Sequence, residues 1–439
     1  MDDSKRAAAG EPGTKPGTAQ PRRWFRRWGR LRRPRAVAVA AVLILGAGLV
    51  SGCATAQGAT SSGKLVICEI SANSGPFAEL GADDEMGATA WADMVNKEGG
   101  LLGHQVELVK EDDASDPATA AALVHKCVSQ IGASYIFGPE ETSTASAAIP
   151  IANVTHAVLL GWQSGWDGQG ISDKNLHSSS FPGIGNVFFA DDLATVTQLI
   201  APRHYTRVAV IEDNAPGGLG NAQYTESLGP KYGFKVVSTQ MTNPGSTDDT
   251  PQALALLKSN PQIIVLGLIP GPDTITAIKA IRAQDPTIPI SECSGCATSS
   301  FVAAAGGPSA MKDVYLIGTP DNVLAALPDT KSDAACLSDT RHYIAEMKAA
   351  GLSSAYDIDE GGEGWDSGRE LAAAIDSAHS LAPGAVQTAL EHQKLVTGGI
   401  VCYDWARTPA DYSTLSNVLS SVVTVGPNGS FDVLPHVGS

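Results

Sequence analysis

The sequence predicts an α/β protein made of two doubly wound, Rossmann-like lobes. From residue 64 almost to the C-terminus, short apolar runs rich in β-formers alternate with longer helical stretches. This alternation is typical of parallel strands joined by right-handed crossovers. It starts a second time after about Phe181, and the 439 residues exceed one average domain. We therefore expect two sheets, each covered by helices.

The elements follow in order along the chain. The first series has strands at 65–70, 105–111, 135–137 and 157–160, with helices near 84–96 and 117–130 and a Thr/Ser-rich helix start after Gly138-Pro139. Asp116-Pro117 predicts the start of the second helix, because an N-cap aspartate is favoured there and proline is favoured at the first helical position. The second series has strands at 207–211, 235–241, 263–268, 288–291 and 314–317, with helices near 219–232, 251–260 and 272–284. The remainder has helices near 333–350, 365–380 and 383–392 and a strand at 421–425.

The N-terminal segment has the profile of an export signal. Eight arginines between Arg22 and Arg35 precede a small-apolar run over 36–50. The run is shorter than the roughly twenty residues of a membrane span. We expect 1–52 to be a cleaved signal peptide and 53–63 a flexible tether, with an uncleaved anchor as the alternative. Both place the rest of the chain outside the cytoplasm.

The end of this segment indicates a lipid anchor. Leu49-Val50-Ser51-Gly52-Cys53 resembles the bacterial lipobox, in which the cysteine is diacylated and becomes the first residue of the mature protein. We expect lipidation at Cys53 and attachment to the outer face of the cell membrane. Arg22-Arg23 leaves the export route open between the general secretory and twin-arginine pathways.

The charge of the expected mature chain argues against nucleic acid as a partner. Without residues 1–52 the chain has 19 Lys and Arg against 43 Asp and Glu, a formal charge of −24. Six cysteines remain besides Cys53, and an even number in an oxidising location predicts disulfides. They are Cys68, Cys127, Cys293, Cys296, Cys336 and Cys402.

A series of short phrases occurs in the order known from one family. They are Ser74-Gly75-Pro76, Asn96-Lys97-Glu98-Gly99-Gly100, Ile136-Phe137-Gly138-Pro139, the run 208–214, Asp248-Asp249 and Trp365-Asp366. In these phrases and in their order, the chain resembles the type I periplasmic-binding-protein family, especially its leucine/isoleucine/valine-binding branch. The resemblance implies a solute-binding protein without cofactor or catalysis. Such a protein delivers a small polar organic solute, an amino acid or related amide or amine, to the permease and ATPase subunits of an ABC importer.

The resemblance also implies the division of the chain. One lobe comprises 64–181 plus 320–398, the other 182–319 plus 399–439, and a hinge of three strands joins them around the ligand. Cys68 with Cys127, on neighbouring elements of the first lobe, and Cys336 with Cys402, which flank the later part of that lobe, are conceivable pairs. Cys293-Ser294-Gly295-Cys296 is expected to form a small loop disulfide, since a thioredoxin-like motif would open a helix near the chain start.

The ligand is expected at the carboxyl ends of the strands, where loops and helix N-termini offer polar groups. The candidates are Ser74, Gly75, Glu140, Thr142, Ser143, Trp162, Gln163, Ser164, Asn214 and Asp273. The hydroxyl groups of Thr142, Ser143 and Ser164 could bind a carboxylate or hydroxyl group of the ligand. Trp162 could supply an apolar wall, and Gln163 can both donate hydrogen bonds to a polar solute and accept them. Ordinary loop packing is the alternative for each.

Acidic residues bear on the kind of ligand. Family members that bind amino acids place a carboxylate for the ammonium group near Asp273, but this residue also suits the first turn of a helix. We expect Glu140 and Glu141 to be exposed; if they were buried, they would favour a cationic ligand.

Other functions find less support in the sequence. A sensory protein of the same fold is one alternative, and an extracellular redox enzyme using Cys293 and Cys296 is another. No second Cys-x-x-Cys or paired histidine motif completes a zinc site, and the calcium-like loop starting at Asp357 has Gly361 and Gly368 at two ligand positions. Nucleotide-binding and hydrolase motifs are also missing, so we expect no metal and no enzymatic activity.

Overall fold

The computed structural model divides into two units, Met1–Ala59 and Thr60–Ser439. It describes residues 63–161, 180–181, 187–268, 271–292, 295–319, 334–351, 361–397, 403–406, 415–416 and 421–434, all in the second unit. The expected signal peptide, Cys53 and all but the last residue of the tether therefore lie outside the described residues. So do the loop at 162–164 and the calcium-like loop from 357 to 360.

The first sheet contains five parallel strands within the described residues, in the order β2-β1-β3-β4-β5. They are β1 (Lys64–Ser71), β2 (Gln105–Asp112), β3 (Tyr135–Phe137), β4 (Val158–Leu160) and β5 (Ser180–Phe181). The connecting helices are α1 (Ala78–Lys97), α2 (Pro117–Lys126), which continues as a π-helical turn over Cys127–Ile131, and α3 (Thr142–Thr155). Strand β1 is buried on both faces over most of its length, as expected of a parallel sheet covered by helices on both sides.

The second sheet repeats this design. Its parallel strands are β6 (Arg207–Asp213), β7 (Lys235–Thr242), β8 (Ile263–Gly267), β9 (Ile290–Glu292) and β10 (Val314–Gly318). A separate antiparallel sheet follows, formed by β11 (Lys394–Thr397), β12 (Tyr403–Ala406) and β13 (Leu415–Ser416). Strands β14 (Ser421–Val425) and β15 (Phe431–Val433) then extend the second sheet antiparallel beside β10, giving the order β15-β14-β10-β9-β8-β6-β7 among the described residues.

The remaining helices complete the layers. They are α4 (Val187–Ala194), which continues as a π-helical turn over Thr195–Ile200, α5 (Pro216–Tyr232), α6 (Thr250–Lys258), α7 (Pro272–Gln284), α8 (Ser299–Ala305), α9 (Ala334–Ala349), α10 (Gly362–Ala378) and α11 (Pro383–Leu390). None of the helices in the described part of the chain has both the length and the apolar character that a membrane crossing requires.

The predicted α/β fold with two doubly wound sheets is confirmed, and most element bounds agree within a few residues. At the start of α2, the Asp116 side chain accepts a hydrogen bond from Thr119 N at 2.7 Å, as an N-cap should. The predictions missed β5, α4, α8, the small sheet and β15. The boundaries of the lobes and their hinge adjoin residues outside the described ranges and stay predictions.

Two helices start earlier than predicted, because glycine and proline in their first turns resemble a loop. Helix α1 begins at Ala78 rather than near Asp84, and α5 begins at Pro216 rather than Leu219. In the first turn of α5, a Cβ atom on Gly218 would overlap the Asp213 carbonyl oxygen. Tertiary packing against the preceding strand therefore selects glycine within a helix.

Helices α1 and α10 cross with their backbones in contact. A Cβ atom on Gly87 would overlap the carbonyl oxygen of Gly361, and one on Gly364 would overlap that of Asp84. Next to this crossing, Trp91 and Trp365 are fully buried in the core of the first sheet. The glycines thus allow two helices to approach closely enough for large aromatic side chains to fill the surrounding space.

We predict that Gly364→Ala destabilises the protein by about 1–3 kcal/mol, because the added methyl group forces the two helices apart. Gly384→Ala is the matched control, since a Cβ atom on Gly384 in α11 would meet no atom within 4 Å. This control should leave stability unchanged or raise it through helix propensity. Urea unfolding of both variants measures the difference, and equal stabilities would contradict the close crossing.

One disulfide joins β1 to the π-helical turn after α2. Cys68 and Cys127 are bonded, with their Cα atoms 5.8 Å apart and a sequence separation of 59. The first of the conceivable pairs is thus confirmed. Cys296 is buried, but Cys293, Cys402 and the Cys336 side chain lie outside the described residues, so the other pairings stay predictions.

We predict that replacing both Cys68 and Cys127 by alanine lowers the free energy of unfolding by about 2–4 kcal/mol, because the bond restricts a long loop in the unfolded chain. A reducing agent should lower the melting temperature of the wild type toward that of the double variant. A variant as stable as the oxidised wild type would contradict this contribution.

Candidate functional site

Two connections, one from each sheet, meet at the carboxyl ends of the strands. Helix α3 follows β3 in the first sheet, and α5 follows β6 in the second. A Cβ atom on Gly217 in α5 would lie 3.7 Å from Thr142 Oγ1 in α3, in ordinary contact. The first turns of these helices therefore face each other, and this is where ligands bind in open α/β sheets.

The β1–α1 connection packs on the β2–α2 connection. Ser74 Oγ donates a hydrogen bond to Asp112 Oδ2 at 2.8 Å, and Asn73 N donates to Asp112 Oδ1 at 3.0 Å. Gly75 has φ +91°, and a Cβ atom there would lie 2.5 Å from the Ala114 carbonyl oxygen. Ser74 and Gly75 are exposed, and their contacts in this structure join two loops of one sheet.

Glu140 is buried, so its expected exposure was wrong. Its side chain is 1% exposed and accepts hydrogen bonds from Ala72 N, at 3.2 Å to Oε1 and 3.4 Å to Oε2. Burial, with the nearby Asp113 carboxylate, raises the pKa of Glu140 to about 8. The sequence pattern missed this because the atoms around Glu140 include those of Ala72, just after β1 and 68 residues away in the chain.

Glu141 is also buried, and it caps α3. Its carboxylate accepts hydrogen bonds from Ser143 N at 2.6 Å and Thr144 N at 3.1 Å, and also from Ser143 Oγ. The expectation of an exposed Glu141 was therefore wrong as well. The hydroxyl of Ser143, predicted to bind ligand, is engaged with this cap, while Thr142 is buried and faces α5.

Asp113, which was not among the predicted residues, belongs to the same group. It is fully buried just after β2, and Ser115 N donates to its Oδ1 at 2.8 Å. Burial and the nearby carboxylates of Asp112 and Glu141 raise the pKa of Asp113 to about 6. Its position at the carboxyl end of a strand was the signal that could have identified it.

The second sheet contributes further acidic groups. Burial raises the pKa of Asp213, at the end of β6, to about 6, with further contributions from Glu141 and Asp273. Asp273 lies in the first turn of α7, as the alternative prediction had it, and its Oδ2 accepts a hydrogen bond from Gly245 N at 2.7 Å. Asn214 is exposed and donates a hydrogen bond to Asn243 Oδ1.

The structure thus brings together the predicted Glu140, Thr142 and Ser143 with the unpredicted Asp113 and Asp213. Among the described residues, no group of three or more His, Cys, Asp or Glu side chains is arranged to hold a metal ion. Trp162, Gln163 and Ser164 lie outside the described residues, and their place in the site stays a prediction.

The sequence matches the family model described as periplasmic binding protein over residues 67–418. The chain belongs to the periplasmic binding protein family. Its curated relatives include an amino acid binding protein of Pseudomonas aeruginosa, 26% identical over 59% of this chain and 68% of the relative. A Leu/Ile/Val-binding protein of Escherichia coli is 31% identical, but over only 25% of this chain and 30% of the relative. These family members are binding proteins rather than enzymes, as predicted.

Solved structures share the fold of this periplasmic binding protein. An extracellular ligand-binding receptor from Rhodopseudomonas palustris has a TM-score of 0.71 at 20% identity, covering 84% of this chain and 99% of its own. The leucine binding protein LivK from Thermotoga maritima has a TM-score of 0.66 at 17% identity, covering 84% and 97%. The type I fold inferred from the sequence is therefore confirmed, and the family agrees with an extracytoplasmic location.

We predict that Glu140→Gln flattens the pH dependence of stability. The pKa of this carboxyl rises from 4.5 to about 8 on folding, so the folded protein takes up a proton between these values. The contribution of Glu140 to the free energy of unfolding is therefore fully present below about pH 4.5. It is lost as the pH rises toward about 8. Glutamine keeps an acceptor for Ala72 N but does not ionise.

Melting temperatures measured between these pH values test this prediction. Relative to wild type, the variant should gain stability as the pH rises, whereas Glu98→Gln, on the exposed C-terminal side of α1, should follow the wild type. Parallel curves for wild type and Glu140→Gln would show that Glu140 does not take up the proton.

Proposed function

We propose that this protein is the solute-binding component of an ABC importer and captures a small polar organic solute, an amino acid or related amide or amine. The observation that carries the proposal is the convergence of α3 and α5, which start at the carboxyl ends of strands in two sheets. Polar side chains and backbone amides at such a junction can surround a small solute. The relatives named for binding amino acids support this solute class.

In the proposed cycle, the two lobes close over the solute and the closed protein docks on permease and ATPase subunits. Closure about a hinge requires that the ligand contact both lobes, because only then does it favour the closed state. Thr142 on one side and Gly217 on the other are close enough for one small molecule to contact both helices. Diacylated Cys53, following removal of residues 1–52, would anchor the protein near those partners.

We predict that the full-length protein, purified in detergent, is stabilised by one class of solute in a thermal-shift screen of amino acids, amides, amines, short peptides and sugars. A ligand at one hundred times its dissociation constant stabilises the folded state by about 2.7 kcal/mol. Trp162→Ala and Gln163→Ala should reduce the shift, whereas Gln105→Ala, at an exposed position on β2, should preserve it. A screen without any shift would contradict the proposed function.

A further inference from the structure

The N-terminus of α3 already holds a carboxylate that belongs to the chain. Free N–H groups at a helix N-terminus bind anions, and a ligand carboxylate would use them. Here Ser143 N, Thr144 N and Ser143 Oγ all donate to Glu141. A ligand carboxylate at this position would have to displace Glu141 and would meet its negative charge.

The facing helix presents negative charge as well. Asp213, next to the start of α5, accepts a hydrogen bond from Ala215 N at 2.8 Å, and an interaction with the Gly218 backbone also favours its ionised form. The charged groups that act on Asp213 within the described chain include Glu141, from the other sheet, and Asp273. Thus an acidic group of the protein lies at the start of α3 and another lies just before the start of α5.

Buried carboxyl groups lie next to these caps. Glu140 is 1% exposed, and its charged neighbours of greatest effect among the described residues are Asp113 and Glu141, both acidic. Asp113 is fully buried, and its Oδ2 has no hydrogen-bond partner in the described part of the chain. A buried carboxylate is stable only when it is paired or protonated, so this group is suited to accept a cation.

From this arrangement we propose that the ligand is an organic cation without a carboxylate, an alkylamine or a guanidine, and that Glu140 determines this selectivity. The inference rests on the proposed function, because it assigns the chemistry of the same site. The absence of a metal-holding group among the described residues favours an organic cation over a metal ion. The proposed ligand differs from those of relatives named for binding leucine, isoleucine and valine, because these amino acids are zwitterions that include a carboxylate.

Pairs of compounds that differ only by a carboxylate test the proposal directly. Agmatine is arginine without its carboxylate, and 3-methylbutylamine is leucine without its carboxylate. Isothermal titration of the full-length protein should give at least one of these amines an affinity about tenfold or more above that of its amino acid. The proposal would be overturned if arginine and leucine each bound at least as tightly as the corresponding amine, or if calcium bound tightly.

Two variants then connect selectivity to the named side chain. Glu140→Gln should weaken binding of the preferred amine about tenfold or more, because an ionic hydrogen bond becomes a neutral one, while Glu98→Gln should leave it unchanged. Circular dichroism and melting at about pH 5, where Glu140 is protonated, verify that the variant folds. An unchanged amine affinity in Glu140→Gln would overturn the role of this residue.

The two proposals fail in different ways. If the thermal-shift screen finds a neutral amide or a zwitterionic amino acid while the amines fail to bind, the cation proposal falls and the solute-binding proposal stands. If no solute of any class binds the wild type, the proposed function falls, and the cation proposal falls with it.

Discussion

Parallel pairing of β1 with both β2 and β3 is the constraint on which the first half of the structure depends. Ser71 pairs with Asp112, and Cys68 pairs with Ile136, so these strands end at the same edge. The connections that follow them must then lie side by side. A slip of one residue in either pair would move every side chain of the shifted strand to the opposite face of the sheet.

The same constraint operates in the second sheet, where β6 lies between β7 and β8. Asp213 pairs with Thr242 at the end of β6, and Glu212 pairs with Gly267. Strand β3 in the first sheet and β6 in the second therefore lead their connections to the edge where the crossover helices α3 and α5 begin. The site arises because the first turns of α3 and α5 meet there, each joined to a rigid strand.

The acidic groups at this junction have an unfavourable effect on stability that the rest of the fold must offset. Carboxyl groups such as Glu140 and Asp113 are removed from water beside others of the same charge, which raises the pKa of each. Stabilising features lie elsewhere in the first sheet and its helices, in the Cys68–Cys127 bond and the close crossing of α1 and α10. Such a division is expected where a site is arranged for binding rather than for stability.

Local patterns in the sequence determined the fold class, the order of most strands and helices, and the edge of the sheets at which a ligand site should lie. These features follow from apolar periodicity and from capping residues such as Asp116, whose physical causes act over a few neighbouring residues. Even so, glycines in the first turns of α1 and α5 concealed the starts of those helices.

The electrostatics of the site were decided by the tertiary structure alone. Glu140 and Glu141 follow a loop and are charged, so their sequence context favours exposure, yet both are buried. Ala72, far away in the chain, covers Glu140, and the engagement of Ser143 with Glu141 depends on the exact turn that starts α3. Burial and the pKa depend on atoms brought close by folding, and no local pattern of residues contains that information.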